Sequence, residues 1–121
     1  MSGLTKKRIL VIDDDESIRE FVSLALGDEG YDVVIATNGL EAIHVIEETH
    51  PQLILLDMRM PVMDGWSFAK TYRALPIPHV PIIVLTAAKV ASDFAQQVQA
   101  DAFLAKPFSL DDLLNLIATY F

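Results

Sequence analysis

Three carboxylates, a hydroxyl and an ammonium stand directly after short apolar runs in this sequence. Asp13 and Asp14, followed by Asp15 and Glu16, come after Ile9–Ile12. Asp57 comes after Leu53–Leu56, Thr86 after Ile82–Leu85, and Lys106, itself followed by Pro107, after Ala102–Ala105. Clustered carboxylates repel one another, so they hold protons or take up a cation. An all-oxygen donor set with no His or Cys nearby favours Mg2+ over zinc. A carboxylate beside Mg2+ can attack phosphorus to form an aspartyl phosphate. The metal and an ammonium then neutralise charge on the transferring oxygens, and Thr86 offers a donor to a third oxygen.

Each piece taken alone has a plainer reading. An acidic run opening a helix complements the helix dipole. A single Asp after a strand serves as a turn residue or a helix cap. Thr86 alone reads as a strand-end cap and Lys106-Pro107 as a solvated loop. The joint pattern is what speaks for chemistry, because every member occupies the same end of its apolar run.

The elements that would position these groups alternate in type. The runs Ile9–Ile12, Asp32–Ala36, Leu53–Leu56, Ile82–Leu85 and Ala102–Ala105 are continuously apolar or β-branched, the pattern of strands buried on both faces. Helical spacing lies between them. Ile18, Phe21, Val22, Ala25 and Leu26 form one stripe, and Leu110, Leu113, Leu114, Ile117, Ala118 and Phe121 another. Leu40, Ile43 and Ile46 mark a second helix, Phe68, Tyr72 and Leu75 a third, and Phe94 and Val98 a short, weakly signalled fourth. Asn38-Gly39 and Asp64-Gly65 punctuate two helix starts. Ser109 with Asp112 resembles a capping box. The order βαβαβαβαβα implies a parallel sheet with helices on both faces. In such sheets the functional crevice lies beyond the carboxyl ends of the strands, where the five groups converge.

Composition limits the alternatives. A chain of 121 residues that is 52% hydrophobic has the material for one packed domain and is not disordered. Without cysteine there is no disulfide framework and no thiolate chemistry. A net charge of −8 disfavours nucleic-acid binding. The basic cluster Lys6-Lys7-Arg8 reads as solvation of the chain start. The apolar run behind it is too short for a signal peptide or a membrane span, so a cytoplasmic protein is expected. No repeat or linker interrupts the chain, so residues 1–121 are expected to be one domain with no output domain.

The stretches Ile9-Leu-Val-Ile-Asp-Asp-Asp15, Leu53-Ile-Leu-Leu-Asp-Met-Arg-Met-Pro-Val-Met-Asp-Gly65, Pro81-Ile-Ile-Val-Leu-Thr-Ala87 and Ala102-Phe-Leu-Ala-Lys-Pro-Phe108 carry a family resemblance. Together the sequence resembles the receiver domain of bacterial two-component response regulators, of the single-domain chemotaxis type. The resemblance implies a flavodoxin-like, doubly wound five-stranded parallel sheet of order 2-1-3-4-5 with five helices. It implies that Asp57 is the phosphoacceptor. It implies that Asp14 ligates Mg2+ directly, Asp13 through water, and Arg59 through its main-chain carbonyl. Thr86 and Lys106 match the phosphate-binding hydroxyl and lysine, and Pro107 a proline often preceded by a cis bond. Asp15 matches no catalytic residue and reads as helix-start charge. The implied donor is a histidine kinase or histidine phosphotransfer protein. The implied output face is the fourth helix, last strand and last helix, around Gln97, Phe103 and Leu110.

Departures from the family pattern fall in one region. Phe103 stands where Tyr is frequent, Ala88 where a polar residue is frequent, and Gln99 where Gly is frequent, and the Thr86–Lys106 segment looks about two residues short. Lacking a hydroxyl, Phe103 is expected to sit inward before phosphorylation, or in a mixture. Arg59 and Ala88 are expected to flank the approach of a hydrolytic water, with Ala88 unable to orient it, giving a phosphorylated state that lasts minutes or longer. Met58, Met60 and Met63 read as loop packing, His44, His50 and His79 as surface residues, and Trp66 as partial packing. Two other functions compete. A haloacid-dehalogenase-type hydrolase would want an acidic group where Arg59 stands and its nucleophile on the first strand. A degenerate receiver that binds without phosphorylation would not need Asp14, Asp57, Thr86 and Lys106 intact.

Overall fold

The computed structural model describes residues 6–121. Residues 1–5, part of the stretch read above as no signal peptide, lie outside the described residues. Five strands and five helices alternate strictly along the chain: β1 (Arg8–Ile12), α1 (Glu16–Asp28), β2 (Asp32–Ala36), α2 (Gly39–Thr49), β3 (Leu53–Asp57), α3 (Gly65–Ala74), β4 (Ile82–Ala87), α4 (Ala91–Gln97), β5 (Ala102–Lys106) and α5 (Leu110–Ala118). The strands form one parallel sheet in the order β2-β1-β3-β4-β5. This is the expected doubly wound, flavodoxin-like arrangement.

The strand period of two divides the core. Leu10, Ile12, Ile54, Leu56, Ile82 and Val84 face α2, α3 and α4, packing on Ala42, Ile46, Phe68, Tyr72 and Phe94. Ile9, Val11, Leu53, Leu55, Ile83 and Leu85 face α1 and α5, packing on Val22, Leu26, Leu113 and Ile117. The three central strands are therefore apolar on both faces, as the unbroken runs predict. The helical stripes are narrower than expected. Phe21, Leu40 and Leu110 are between 41% and 48% exposed, the buried apolar positions of their helices being Val22 and Leu26, Ala42 and Ile46, and Leu113 and Ile117, and Phe121 lies beyond the end of α5.

Helix starts follow the sequence punctuation. Asp15, Asn38, Asp64 and Ser109 each cap a helix by accepting a backbone N–H, from Ser17, Glu41, Ser67 and Asp112 respectively. Asp15 is thus a cap, matching its reading as helix-start charge. Helix α4 is the exception. It has seven residues and no side-chain cap, and it closes at Gln99, which takes a left-handed φ of 54°. Arg8 corrects another expectation. Its Nε donates to Asp32 at 2.6 Å and its backbone N–H to Gln52 Oε1 at 2.9 Å, so it joins strand ends and does not merely solvate the chain start.

Candidate functional site

The strand order reverses beside β1, whose neighbours are β2 and β3. That reversal opens a crevice at the carboxyl ends of the strands. Three of the strands run one or two residues beyond their apolar runs, so Asp57, Thr86 and Lys106 are themselves strand residues. Register then aligns them. Ile12 pairs with Leu56, which sets Asp13 beside Asp57. Asp57 pairs with Leu85, which leaves Thr86 one step beyond. Thr86 pairs with Ala105, which places Lys106 next.

Asp13 is buried to 1% exposure, Asp57 to 7% and Thr86 to 6%, while Asp14 is exposed. One carboxylate oxygen each from Asp13, Asp14 and Asp57 lies within 4.8 Å of the others. Lys106 Nζ donates to Asp13 Oδ2 at 2.8 Å and lies 3.6 Å from Asp57 Oδ1. Asp13 Oδ1 accepts the Asp15 N–H at 2.9 Å. Both Asp13 oxygens are thus engaged within the protein, whereas Asp14, which shares the cluster, is open to solvent.

The electrostatics are those of a site short of positive charge. Burial pushes the Asp57 carboxyl up to about 7, and the neighbouring charge of Asp13 adds to this; Lys106 opposes it. Burial pulls Lys106 down, but the hydrogen bond and charge of Asp13, with Asp57 behind, outweigh it and hold the ammonium above its usual range. One ammonium faces three carboxylates. An all-oxygen cluster with unbalanced negative charge fits a hard divalent cation.

The loop after β3 is tightly built. Gly65 opens α3 where a Cβ would lie 2.7 Å from Met58 Cα, so the backbone passes too close for any side chain. Met58 and Met60 are buried and Met63 packs against the same core, matching their reading as packing residues. His44, His50 and His79 are exposed, as expected, and the Lys106–Pro107 bond is cis.

Two features escape sequence reading. Arg19 Nη1 donates to the Asp13 main-chain carbonyl at 2.8 Å, fixing the turn that carries the acidic pair. Its signal was available, as the lone cation within an acidic stretch. The Arg59 guanidinium lies over two rings, 5.3 Å from the Phe94 centroid and 5.8 Å from that of Trp66. Nothing in sequence spacing links those three residues. A third finding concerns Phe103, which is 45% exposed: its ring points outward in this structure, against the expected inward position and leaving the expected mixture open. It lies on the edge strand β5, where no further strand covers it.

An acidic cluster facing a lysine at the switch point of a doubly wound sheet is the arrangement of a class of phosphoacceptor domains. The chain belongs within it to the response regulator receiver domain family, whose model matches residues 9–118. It is 40% identical over 112 residues to the "Probable transcriptional regulator ycf27" of Porphyridium aerugineum, covering 91% of this chain and 46% of that protein. It is 38% identical over 109 residues to response regulator MprA of Mycobacterium sp. (strain KMS), covering 88% and 47%. The chain spans about half the length of these curated relatives. The chemotaxis response regulator CheY4 of Vibrio cholerae superposes with a TM-score of 0.87 at 34% identity, covering 97% of this chain and all of that one. Membership makes this a phosphoacceptor domain of two-component signalling, and it removes the dehalogenase-type alternative. Among the described residues, no helix is long and apolar enough to cross a membrane.

Proposed function

We propose that Asp57 is the phosphoacceptor of a Mg2+-dependent switch, and that the chain catalyses its own phosphorylation and its slow hydrolysis. The observation that carries this reading is the convergence of Asp13, Asp14, Asp57 and Lys106 on one crevice. Asp14, Asp57 and the Arg59 carbonyl would hold the metal, with Asp13 acting through water because its own oxygens are engaged. Bound there, Mg2+ would neutralise charge on the phosphoryl oxygens. An Asp57 carboxylate oxygen forms the new bond to phosphorus while the bond from phosphorus to the donor's nitrogen breaks, its electron pair leaving with the donor. Lys106 offers its ammonium to one phosphoryl oxygen and Thr86 its hydroxyl to another. The donor is a histidine kinase or histidine phosphotransfer protein, which the domain meets in the cytoplasm. The phosphorylated domain engages a downstream protein through α4, β5 and α5, where Gln97, Phe103 and Leu110 are exposed.

Acetyl phosphate with Mg2+, read by intact mass, tests the reading. One phosphoryl group per chain, stable in acid and lost in base, is expected in the wild type and absent in Asp57→Asn. A chain that takes no adduct is a degenerate receiver. An adduct at wild-type yield in Asp57→Asn overturns the assignment of the acceptor.

A further inference from the structure

Helix α4 is short and lacks a side-chain N-cap, yet three side chains from outside hold it. Arg73 of α3 donates through Nη2 to the carbonyls of Val98 and Gln99, at 3.0 and 2.9 Å, closing its carboxyl end. The Trp66 indole N–H donates to Gln97 Oε1 at 2.6 Å, and its ring meets Phe94 edge-on at 4.7 Å. Arg59 supplies the third, with its guanidinium over both Phe94 and Trp66. Among the described residues the Arg59 side chain forms no ion pair and no hydrogen bond, and its guanidinium rests on the two π faces. Phe94 is buried and faces the core, so whatever holds its ring also holds α4.

Arg59 is also two residues from Asp57, on the loop between β3 and α3. A guanidinium prefers a bidentate, charge-assisted partner to an aromatic face when one comes within reach. An aspartyl phosphate on Asp57 would be such a partner. We propose that the Arg59 side chain is a second phosphate sensor, leaving the Trp66–Phe94 box for the phosphoryl group and releasing α4 from α3. This rests on Asp57 being the phosphoacceptor. It links the crevice to α4 through Phe94 and Trp66. Arg59 is a positioning residue in this account, because it acts on α4 through Phe94 and Trp66.

Trp66 is the sole tryptophan, so its emission reports the box directly. Samples of wild type, Arg59→Met and Asp57→Asn are treated with acetyl phosphate and Mg2+, and emission and intact mass are read on each. In the wild type, emission should change in proportion to adduct and reverse as the adduct decays. Arg59→Met should lose most of that change per mole of adduct, and its emission before treatment should already differ from the wild type. Asp57→Asn should show neither adduct nor emission change. An adduct without an emission change in the wild type overturns the sensor while leaving the phosphoacceptor reading intact. So does an equal change per adduct in Arg59→Met. Absence of any adduct overturns both.

Discussion

At the scale of single residues, the site is built from a conflict between burial and charge. Asp57 lies among two other carboxylates, and its acidity near 7 records that conflict. The unfolded chain releases this proton near pH 3.8, the folded chain near 7. Between those values the folded state holds the extra proton, so stability without metal should fall as pH rises from about 4 to about 7. The loss is on the order of a few kcal/mol. Mg2+ competes with that proton, so metal affinity should rise over the upper part of the same window. Urea unfolding with and without Mg2+ at several pH values reads both effects. Asp57→Asn removes the buried charge, so its metal-free form should gain on the order of 1–3 kcal/mol above pH 7 and lose its response to Mg2+. A variant no more stable than wild type at pH 8 would show that Lys106 already balances the cluster.

At the scale of elements, what was legible in the sequence is what one element can signal alone. Apolar runs ending in Asp, Thr or Lys marked the strand ends. Asn38, Asp64 and Ser109 marked helix starts through their own side chains. Helix α4 was poorly legible because its support comes from elsewhere: Arg59, Trp66 and Arg73 lie between 25 and 35 positions before the residues they hold. The burial of Asp13 against Lys106 joins residues 93 apart, which no local pattern reports. Gln99 is a local irregularity that the sequence did show, standing where Gly is frequent. Its left-handed φ of 54° costs a side-chain-bearing residue roughly 1–2 kcal/mol. Glycine would relieve this but gains freedom in the unfolded chain, at about 0.4–1 kcal/mol. Gln99→Gly should therefore stabilise by roughly 0.5 kcal/mol, with Arg73 still closing the helix through backbone carbonyls. Thermal unfolding checks this; a lower melting temperature would mean that the Gln99 side chain contributes more than its backbone costs.

At the scale of the whole molecule, the question is how far phosphorylation can move the output face. Its rigid part is the β1–β3–β4 centre, buried on both sides. Its movable part is the edge, where Phe103 points outward. The sequence could not show that choice, because inward and outward positions of one ring differ by little free energy. Burying a ring already about half covered returns on the order of 1 kcal/mol. A charge-assisted hydrogen bond from Thr86 to the phosphoryl group adds about 1.5–3 kcal/mol. Together these fall short of the roughly 5.5 kcal/mol that carries a population from 1:99 to 99:1. Phosphorylation should therefore leave Phe103 divided between outward and inward positions, with no hydroxyl to hold it in either. NMR of the protein with Mg2+, before and after beryllofluoride, distinguishes the cases. Exchange-broadened or intermediate signals at Phe103, with shifts extending along α4 and α5, are expected. A complete switch to one inward signal would require a further source of free energy, of which the release of α4 by Arg59 is the candidate, and Arg59→Met should then return Phe103 to a mixture. Shifts confined to α1 and α2, with Phe103 silent, would place the output on another face of the domain.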